Sequence, residues 1–411
     1  GLRVGRRRLV LDDRMVVLVE ATADQLGASM FLLDDLAELR RPADAFQFLA
    51  DLSAADQVDF VNELAGRLVA PPPTAPTTCV LDTGVARLHP LLAAALDAGD
   101  CHAADPAWSP ADRSGHGTQM AGLALYGNLG EALASGGPHR ITSRLESVKI
   151  LPDAVSNDPD NFGAITALSA ATVEITRPEA RRAFALAVTA PNSGPPQPPD
   201  LGLPTSWSAT IDALAAGRAV DSAPDGLVYI DEADDRLPRL FVVAAGNVRR
   251  PYERDHLTRS DLEPVEDPGQ AWNALTVGAW TEQCDVSDDP TFVGWTPLAS
   301  PGELSPFSRT SVAFKKVWPH KPEIVVEGGN AAASPAGTTI DTPPGLQVLT
   351  TAMPSLNGRL LTTASGTSPA AAQAAYMAAG VAEASEVELR LVHPGQEVAA
   401  GPGGGRRRGR R

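Results

Sequence analysis

The chain has 411 residues, and its 50 acidic against 34 basic side chains give a formal net charge of −16. This length provides material for one large or two ordinary domains with a substantial core. The acidic balance argues against a general nucleic-acid-binding protein, so we expect an acidic, soluble protein with no specific nucleic-acid partner.

The sequence does not have the features of a membrane-spanning or secreted protein. No apolar run approaches the roughly 18 to 20 residues needed to cross a bilayer, and the basic start is not followed by a signal-peptide pattern. Three cysteines are too few, and odd in number, for a disulfide scaffold. We therefore expect a reducing, cytoplasmic location and no membrane association, although the leading glycine leaves room for residues upstream.

The first 75 residues form a separate, small α+β region by pattern. A strand is predicted at Met15–Glu20, helix or helix-turn over residues 22–39, and a longer helix over residues 43–68, where apolar residues recur near helical spacing. The proline-rich residues 71–76 then predict a stiff linker. We place the domain boundary after residue 75.

From Thr77 onward, alternating strand and helix patterns predict an α/β domain over residues 76–385. Strands are predicted at residues 79–81, 147–151, 183–189, 240–245, 274–278 and 322–327, and helices at residues 119–126 and 162–175. Asp82 follows the first of these strands. Active sites of open α/β sheets lie at the carboxyl ends of the strands, so Asp82 is a candidate site residue. A simple strand-ending turn is the structural alternative.

His116 lies between Gly115 and Gly117 and opens a helical run. Flanking glycines let the imidazole approach another backbone closely. A catalytic histidine also needs a carboxylate that fixes its tautomer. The other six histidines lack this setting and show no metal-ligand spacing. We expect them to be packing or surface residues, and we predict no metal site.

Asn247 follows Gly246 at the end of the clearest buried strand of the chain, residues 240–245. The side-chain amide of an asparagine at this place could donate a hydrogen bond to an anion. An ordinary Gly-Asn turn is the structural alternative.

Ser368 lies in a Gly-Thr-Ser turn directly before an alanine-rich helix. Gly366 permits a sharp turn, Ser368 falls where a helix N-cap belongs, and Pro369 takes the favoured first helical position. The amides of a first helical turn stabilise negative charge, so a hydroxyl there could be a nucleophile. An ordinary capping serine is the structural alternative.

The order of these four stretches resembles that of the subtilisin-like serine peptidases, the subtilase family. The stretches are Thr78 to Val85 (TCVLDTGV), Ser114 to Thr118 (SGHGT), Phe241 to Asn247 (FVVAAGN) and Leu361 to Ala379 (LTTASGTSPAAAQAAYMAA). The resemblance implies a three-layer fold, with a mostly parallel sheet and helices on both faces. It also implies a polypeptide substrate that pairs with the edge of the strand at residues 183–189.

The same resemblance implies a role for each candidate residue. Ser368 is the nucleophile, His116 the general base, and Asp82 the carboxylate that orients the imidazole. Asn247 and the Ser368 N–H hold the oxyanion. Residues 1–75 stand where many subtilases have a prosegment, but a permanent accessory or docking domain is equally compatible with their sequence. Calcium binds to acidic loops in this family, yet no ligand pattern is present and we assign no cofactor.

Residues 386–411 depart from the expected pattern, since the last eleven residues are almost entirely glycine and arginine. A segment of this composition cannot bury a core, so we expect a disordered tail. A shifted reading frame is the hypothesis we prefer for this aberrant end, and binding to nucleic acid or an acidic partner is the alternative.

Two functions are compatible with these observations. The first is a serine endopeptidase that uses Asp82, His116, Ser368 and Asn247. The second is a catalytically weak subtilase-like component that binds peptides or a partner protein, which the unusual C-terminus favours because a catalytic site needs a rigid supporting shell. The sequence does not determine the oligomeric state.

Overall fold

The computed structural model describes residues 3–10, 15–20, 48–153, 156–190, 201–223, 226–230, 237–249, 255–286 and 289–385. The chain divides into two compact units, Gly1–Asp44 and Ala45–Arg411. The first unit contains an antiparallel pair, β1 (Arg3–Val10) and β2 (Met15–Glu20), so the strand predicted at Met15–Glu20 is confirmed. The predicted helix at residues 22–39 and the predicted tail lie outside the described residues.

The second unit alternates strands and helices. Its described helices are α1 (Phe48–Asp51), α2 (Ala54–Gly66), α3 (His116–Tyr126), α4 (Leu129–Ala134), α5 (Phe162–Thr176), α6 (Ser206–Ala215), α7 (His256–Leu262), α8 (Pro354–Asn357) and α9 (Thr367–Ser385). None of the described helices is long and apolar enough to cross a membrane.

The strands of the second unit form one large sheet and several small sheets of two or three strands. They are β3 (Leu68–Val69), β4 (Thr77–Asp82), β5 (Cys101–Ala103), β6 (His139–Arg140), β7 (Arg144–Lys149), β8 (Arg182–Leu186), β9 (Val220–Ala223), β10 (Gly226–Tyr229), β11 (Leu240–Ala244), β12 (Leu275–Thr281), β13 (Thr296–Pro297), β14 (Glu303–Leu304), β15 (Ile324–Glu327), β16 (Ala332–Ala333), β17 (Ile340–Asp341), β18 (Val348–Thr351) and β19 (Leu361–Ala364).

The central sheet has the strand order β14-β12-β11-β8-β4-β7-β5, and β15 also pairs with β12. All of these pairings are parallel except that of β14 with β12. Strands β4 and β11 are buried along their whole length, as expected for central parallel strands covered on both faces. Their carboxyl ends therefore lie along the same edge of the sheet.

Helices cover both faces of this sheet, and β8 shows how. Its Phe184 and Leu186 join a buried cluster with α5 and α6, whereas Ala183 and Ala185 join a cluster with α9 on the opposite face. Small side chains on the α9 side let this alanine-rich helix lie close to the strands. The predicted three-layer α/β fold with a mostly parallel sheet is therefore confirmed.

The two compact units divide before residue 48, well ahead of the boundary that the proline-rich segment suggested. The physical reason is the packing of α1 and α2. Leu49, Val61 and Leu64 are buried in the same core cluster as residues of α3 and β19. Gln57 is fully buried, and its Oε1 accepts hydrogen bonds of 2.9 Å from the N–H groups of both Leu360 and Leu361.

The close packing of α9 generates a stability prediction. Ala375 is completely buried against the sheet, so Ala375→Leu should overpack this layer and reduce the free energy of unfolding by about 1–3 kcal/mol. Val381→Leu adds volume at a position of the same helix that is 58% exposed and should change the stability by less than about 0.5 kcal/mol. Urea unfolding followed by circular dichroism measures both. Equal effects of the two substitutions would contradict this view of the α9 packing.

Candidate active site

Asp82 and His116 meet at the carboxyl end of the central sheet. Asp82 is the last residue of β4 and has no exposed surface, and His116 is the first residue of α3. The His116 Nδ1 lies 2.8 Å and 2.9 Å from the two carboxylate oxygens of Asp82. The Thr83 N–H also donates to Asp82 Oδ1 over 2.8 Å. The imidazole is thus held through Nδ1, which leaves Nε2 as its second functional atom.

Glycines make this close approach feasible. A Cβ on Gly117 would lie 2.1 Å from the Gly84 carbonyl oxygen, and a Cβ on Gly84 would lie 2.3 Å from the Pro110 carbonyl oxygen. Gly115, directly before α3, has φ = +96°, a conformation that glycine adopts readily. The glycine pattern around the histidine therefore reflects contact between the start of α3 and the turn after β4.

A buried aspartate, Asp112, organises the loop before His116. Its Oδ1 accepts from the Gly115 N–H over 2.9 Å and from Thr83 Oγ1 over 3.0 Å. Its Oδ2 accepts from both the N–H and the hydroxyl of Thr118 over 3.0 Å and 2.6 Å. Asp112 thus ties the turn after β4 to the first turn of α3. Sequence reasoning missed this residue, although a carboxylate four positions before the histidine was a usable signal.

The pKa of His116 reflects opposing influences. Burial lowers it, but the charge of Asp82, its hydrogen bond to the ring and the charge of Asp112 together raise it above the usual histidine value. The imidazole therefore keeps its proton to a higher pH than a solvent-exposed histidine does.

Ser368 lies in the first turn of α9. The helix begins at Thr367, so Ser368 is its second residue. The prediction that Ser368 is the N-cap residue is therefore wrong. Gly366, with φ = +112°, makes the turn that precedes the helix. The Ser368 hydroxyl donates to the Ala187 carbonyl oxygen over 2.6 Å, and within the described part of the chain no hydrogen bond joins it to His116.

Asn247 follows β11 and is held against the same turn. Its Oδ1 accepts from the Thr367 N–H over 2.8 Å and from Thr367 Oγ1 over 3.2 Å. Thr367 Oγ1 also accepts from the Gly246 N–H over 3.1 Å. Because the oxygen of the Asn247 amide is engaged, its Nδ2 is available as a donor, and no described residue accepts from it. Thr367 is a second site residue that sequence reasoning missed.

His116 and Ser368 both line one cavity, which has a volume of about 350 Å³. The segment 187–190 forms one wall and continues beyond the end of β8. The strand predicted at residues 183–189 is shorter in the structure, because its pairing with β11 ends at Leu186. The other lining residues are mainly apolar: Thr83, Ile150, Leu151, Asn157, Phe162, Ile165, Thr166 and Trp207.

The other described histidines do not line this cavity. His89 is buried and its Nε2 lies 2.8 Å from the Leu360 carbonyl oxygen, and burial lowers its pKa to about 4. This position agrees with the packing role expected for it. Within the described ranges, no group of three or more histidine, cysteine, aspartate or glutamate side chains could hold a metal ion.

Comparison with protein families matches residues 74–389 to the model of the subtilase family. The solved structures that resemble the chain include the following three. A psychrophilic protease (S41) has 21% identity and a TM-score of 0.43, and the match covers 76% of this chain and 78% of that one. Sphericase has 18% identity and a TM-score of 0.45, with coverage of 79% of this chain and 84% of that one. A lanthipeptide protease has 15% identity and a TM-score of 0.45, with coverage of 87% of this chain and 86% of that one. The comparison with curated proteins gives no match.

The contact between Asp82 and His116 generates a prediction on protonation. Asp82→Asn removes the carboxylate charge but keeps the size of the side chain, so the lowering effect of burial should prevail and the pKa of His116 should fall. NMR titration of the His116 ring protons measures this change. Asp100→Asn is the control, because Asp100 is also buried but pairs with Arg144, and it should leave the His116 pKa unaltered. An unchanged or higher pKa in Asp82→Asn would contradict the assignment.

Proposed function

Because the chain belongs to the subtilase family and is therefore a serine-type peptidase, we propose that it is an endopeptidase that uses Ser368 as nucleophile and His116 as general base. Asp82 orients the imidazole and stabilises its protonated form. The observation that carries this proposal is the contact of 2.8 Å between His116 Nδ1 and the buried carboxylate of Asp82. This contact leaves His116 Nε2 free to accept the proton of the Ser368 hydroxyl, and both residues line the same cavity.

The proton follows one path in this mechanism. Ser368 Oγ attacks the carbonyl carbon of the scissile peptide bond, and its proton passes to His116 Nε2. The resulting imidazolium is stabilised by Asp82 and then gives the proton to the leaving amine. In the second half-reaction, water attacks the acyl group on Ser368 and gives a proton to His116 Nε2. The proton then returns to Ser368 Oγ as the acyl group leaves as a carboxylic acid. The raised pKa of His116 suits this role, because the imidazolium forms more easily beside two carboxylates.

In this mechanism, a bound peptide displaces the Ser368 hydroxyl from its present acceptor. The hydroxyl donates to the Ala187 carbonyl, which is a main-chain acceptor on the wall of the cavity. A peptide that pairs with the segment 187–190 offers its own N–H to such a carbonyl. The hydroxyl then turns about its Cα–Cβ bond toward His116. Catalytic hydrogen bonds often tighten only when substrate is bound.

Two donors are suited to hold the oxyanion. Asn247 Nδ2 is one, since the Asn247 Oδ1 is occupied by Thr367. The second is the Ser368 N–H in the first turn of α9, which cannot bond within the helix. The positive end of the helix dipole strengthens both interactions. Losing an asparagine donor costs on the order of 10² to 10³ in turnover, the scale established for this family.

A catalytically weak, peptide-binding component is the second function considered. The specific observation in its favour is that Ser368 donates to Ala187 and not to His116. A fluorophosphonate separates the two functions, because it labels only an activated serine. The endopeptidase should be labelled at Ser368, and the Ser368→Ala protein should not be. A folded protein that resists labelling would favour the binding component.

The shared role of serine and histidine generates a kinetic prediction. Ser368→Ala and His116→Ala should each reduce kcat by roughly 10⁶-fold, the scale established for such triads, and the double substitution should add little. Cleavage of a fluorogenic protein substrate, with circular dichroism to verify folding, measures this. His89→Ala removes a histidine outside the cavity and is the control for loss of an imidazole as such. Losses that multiply in the double variant would contradict a common mechanism.

Several expectations from the sequence remain predictions. These are the absence of a cofactor, the cytoplasmic location, and the role of the N-terminal region as a prosegment or a permanent accessory domain. Polypeptide is the substrate class that follows from the family.

A further inference from the structure

We propose that Arg309 is a positioning residue for the oxyanion hole and acts through the main chain of Asn247. This inference rests on the proposed function, because it assumes that Asn247 donates to the oxyanion. Arg309 Nε donates to the Asn247 carbonyl oxygen over 2.7 Å. Next to it, Ser308 forms an isolated antiparallel bridge with Asn247. The main chain of Asn247, whose side chain is the candidate oxyanion donor, is therefore held by the segment 308–309.

The other nitrogens of the guanidinium fix Arg309 itself. Nη1 donates to the Pro264 carbonyl oxygen over 3.1 Å, and Nη2 lies 3.0 Å from Glu263 Oε2 and 3.1 Å from Glu266 Oε1. The side chain is only 9% exposed. A rigid, planar fork with several partners has little freedom to move, so the position of Nε sets the position of the Asn247 carbonyl.

Glu266 extends this arrangement to a residue that lines the cavity. Its Oε2 accepts from the hydroxyl of Thr189 over 2.6 Å, and Thr189 lines the cavity with Ser368. Glu266 also packs against the turn before Asn247, where a Cβ on Gly246 would lie 2.6 Å from Glu266 Oε2. One buried ion pair, Arg309 with Glu266, thus links the oxyanion asparagine to the segment that we propose for substrate pairing.

This linkage should act on the transition state more than on substrate binding. The oxyanion exists only after the nucleophile has attacked, so a small displacement of the Asn247 amide weakens an interaction absent from the ground state. A misplacement of about 1 Å can cost on the order of 10² in rate. We therefore expect a loss in kcat with little change in KM.

The alternative is that Arg309 only stabilises the fold. The chain offers a matched comparison in Arg239, which pairs with Glu174 through two contacts of 2.6 Å and 2.9 Å and donates to two main-chain carbonyls. Its side chain is 13% exposed, and its partners do not line the cavity. Arg309 and Arg239 thus make similar contacts, but only Arg309 reaches a candidate site residue.

A double-substitution cycle tests the proposal. The proteins are wild type, Arg309→Lys, Asn247→Ala, the combination of both, and Arg239→Lys as the control. The probe is the best-cleaved member of a mixed library of peptide para-nitroanilides. Lysine keeps the charge beside Glu266 but cannot make the fork of contacts. Thermal unfolding of each protein reports its stability separately.

We expect Arg309→Lys to lower kcat about 10- to 100-fold in the wild-type background and less than about threefold in Asn247→Ala. Arg239→Lys should leave kcat within about twofold of wild type. An unchanged kcat in Arg309→Lys, or an equal loss in both backgrounds, would overturn the positioning role. If Asn247→Ala itself keeps full kcat, the proposed oxyanion hole fails instead, and with it the premise of the inference.

Should Arg309→Lys not fold, Glu266→Gln takes its place in the same cycle. Glutamine can still accept from Thr189 but loses the ion pair with Arg309. The same dependence on Asn247 is expected for it, and an equal loss of kcat with and without Asn247 would again overturn the proposal.

Discussion

The structure depends on burying one carboxylate, that of Asp82, at the end of a central strand. A carboxylate without solvent is costly unless it is paired and hydrogen-bonded. The partners here are the Thr83 N–H and the His116 ring. The contact with His116 requires the start of α3 to lie directly against the turn after β4, and only glycine at positions 84 and 117 leaves enough space. The position of the histidine therefore follows from the need to compensate a buried charge.

Much of the fold could be predicted because central parallel strands are continuous apolar runs that end in turn residues. β11 and β15 lie close to their predicted positions for this reason. The ends of elements depend instead on neighbours that are remote in sequence. The apolar run of β8 continues past Leu186, but its pairing with β11 ends at Leu186 and Val243, one residue before β11 itself ends. The helix predicted over residues 43–68 is interrupted before Ser53, which caps α2 with its side chain.

The candidate site also contains residues that the sequence predicts and residues that it does not. Asp82, His116, Asn247 and Ser368 each have a local signature, a strand end or a glycine turn, and could be chosen from the sequence. Thr367 and Arg309 have no such signature, because their importance comes from contacts with Asn247 more than 60 positions away. Asp112 lies near the histidine in sequence, which was a usable signal, but its contacts with Thr83 and Thr118 are not predictable from that spacing. Supporting contacts of this kind become visible only when the chain is folded.

The burial of Gln57 restricts how this protein could mature. Its amide joins α2 to residues 360 and 361, and β19, which begins at Leu361, leads to the turn that carries Ser368. A proteolytic cut at residue 75 that released everything upstream would open the core around Leu49, Val61 and Leu64. It would also remove the acceptor of two main-chain N–H groups, those of Leu360 and Leu361. A removable leader compatible with an intact core must therefore end before Phe48.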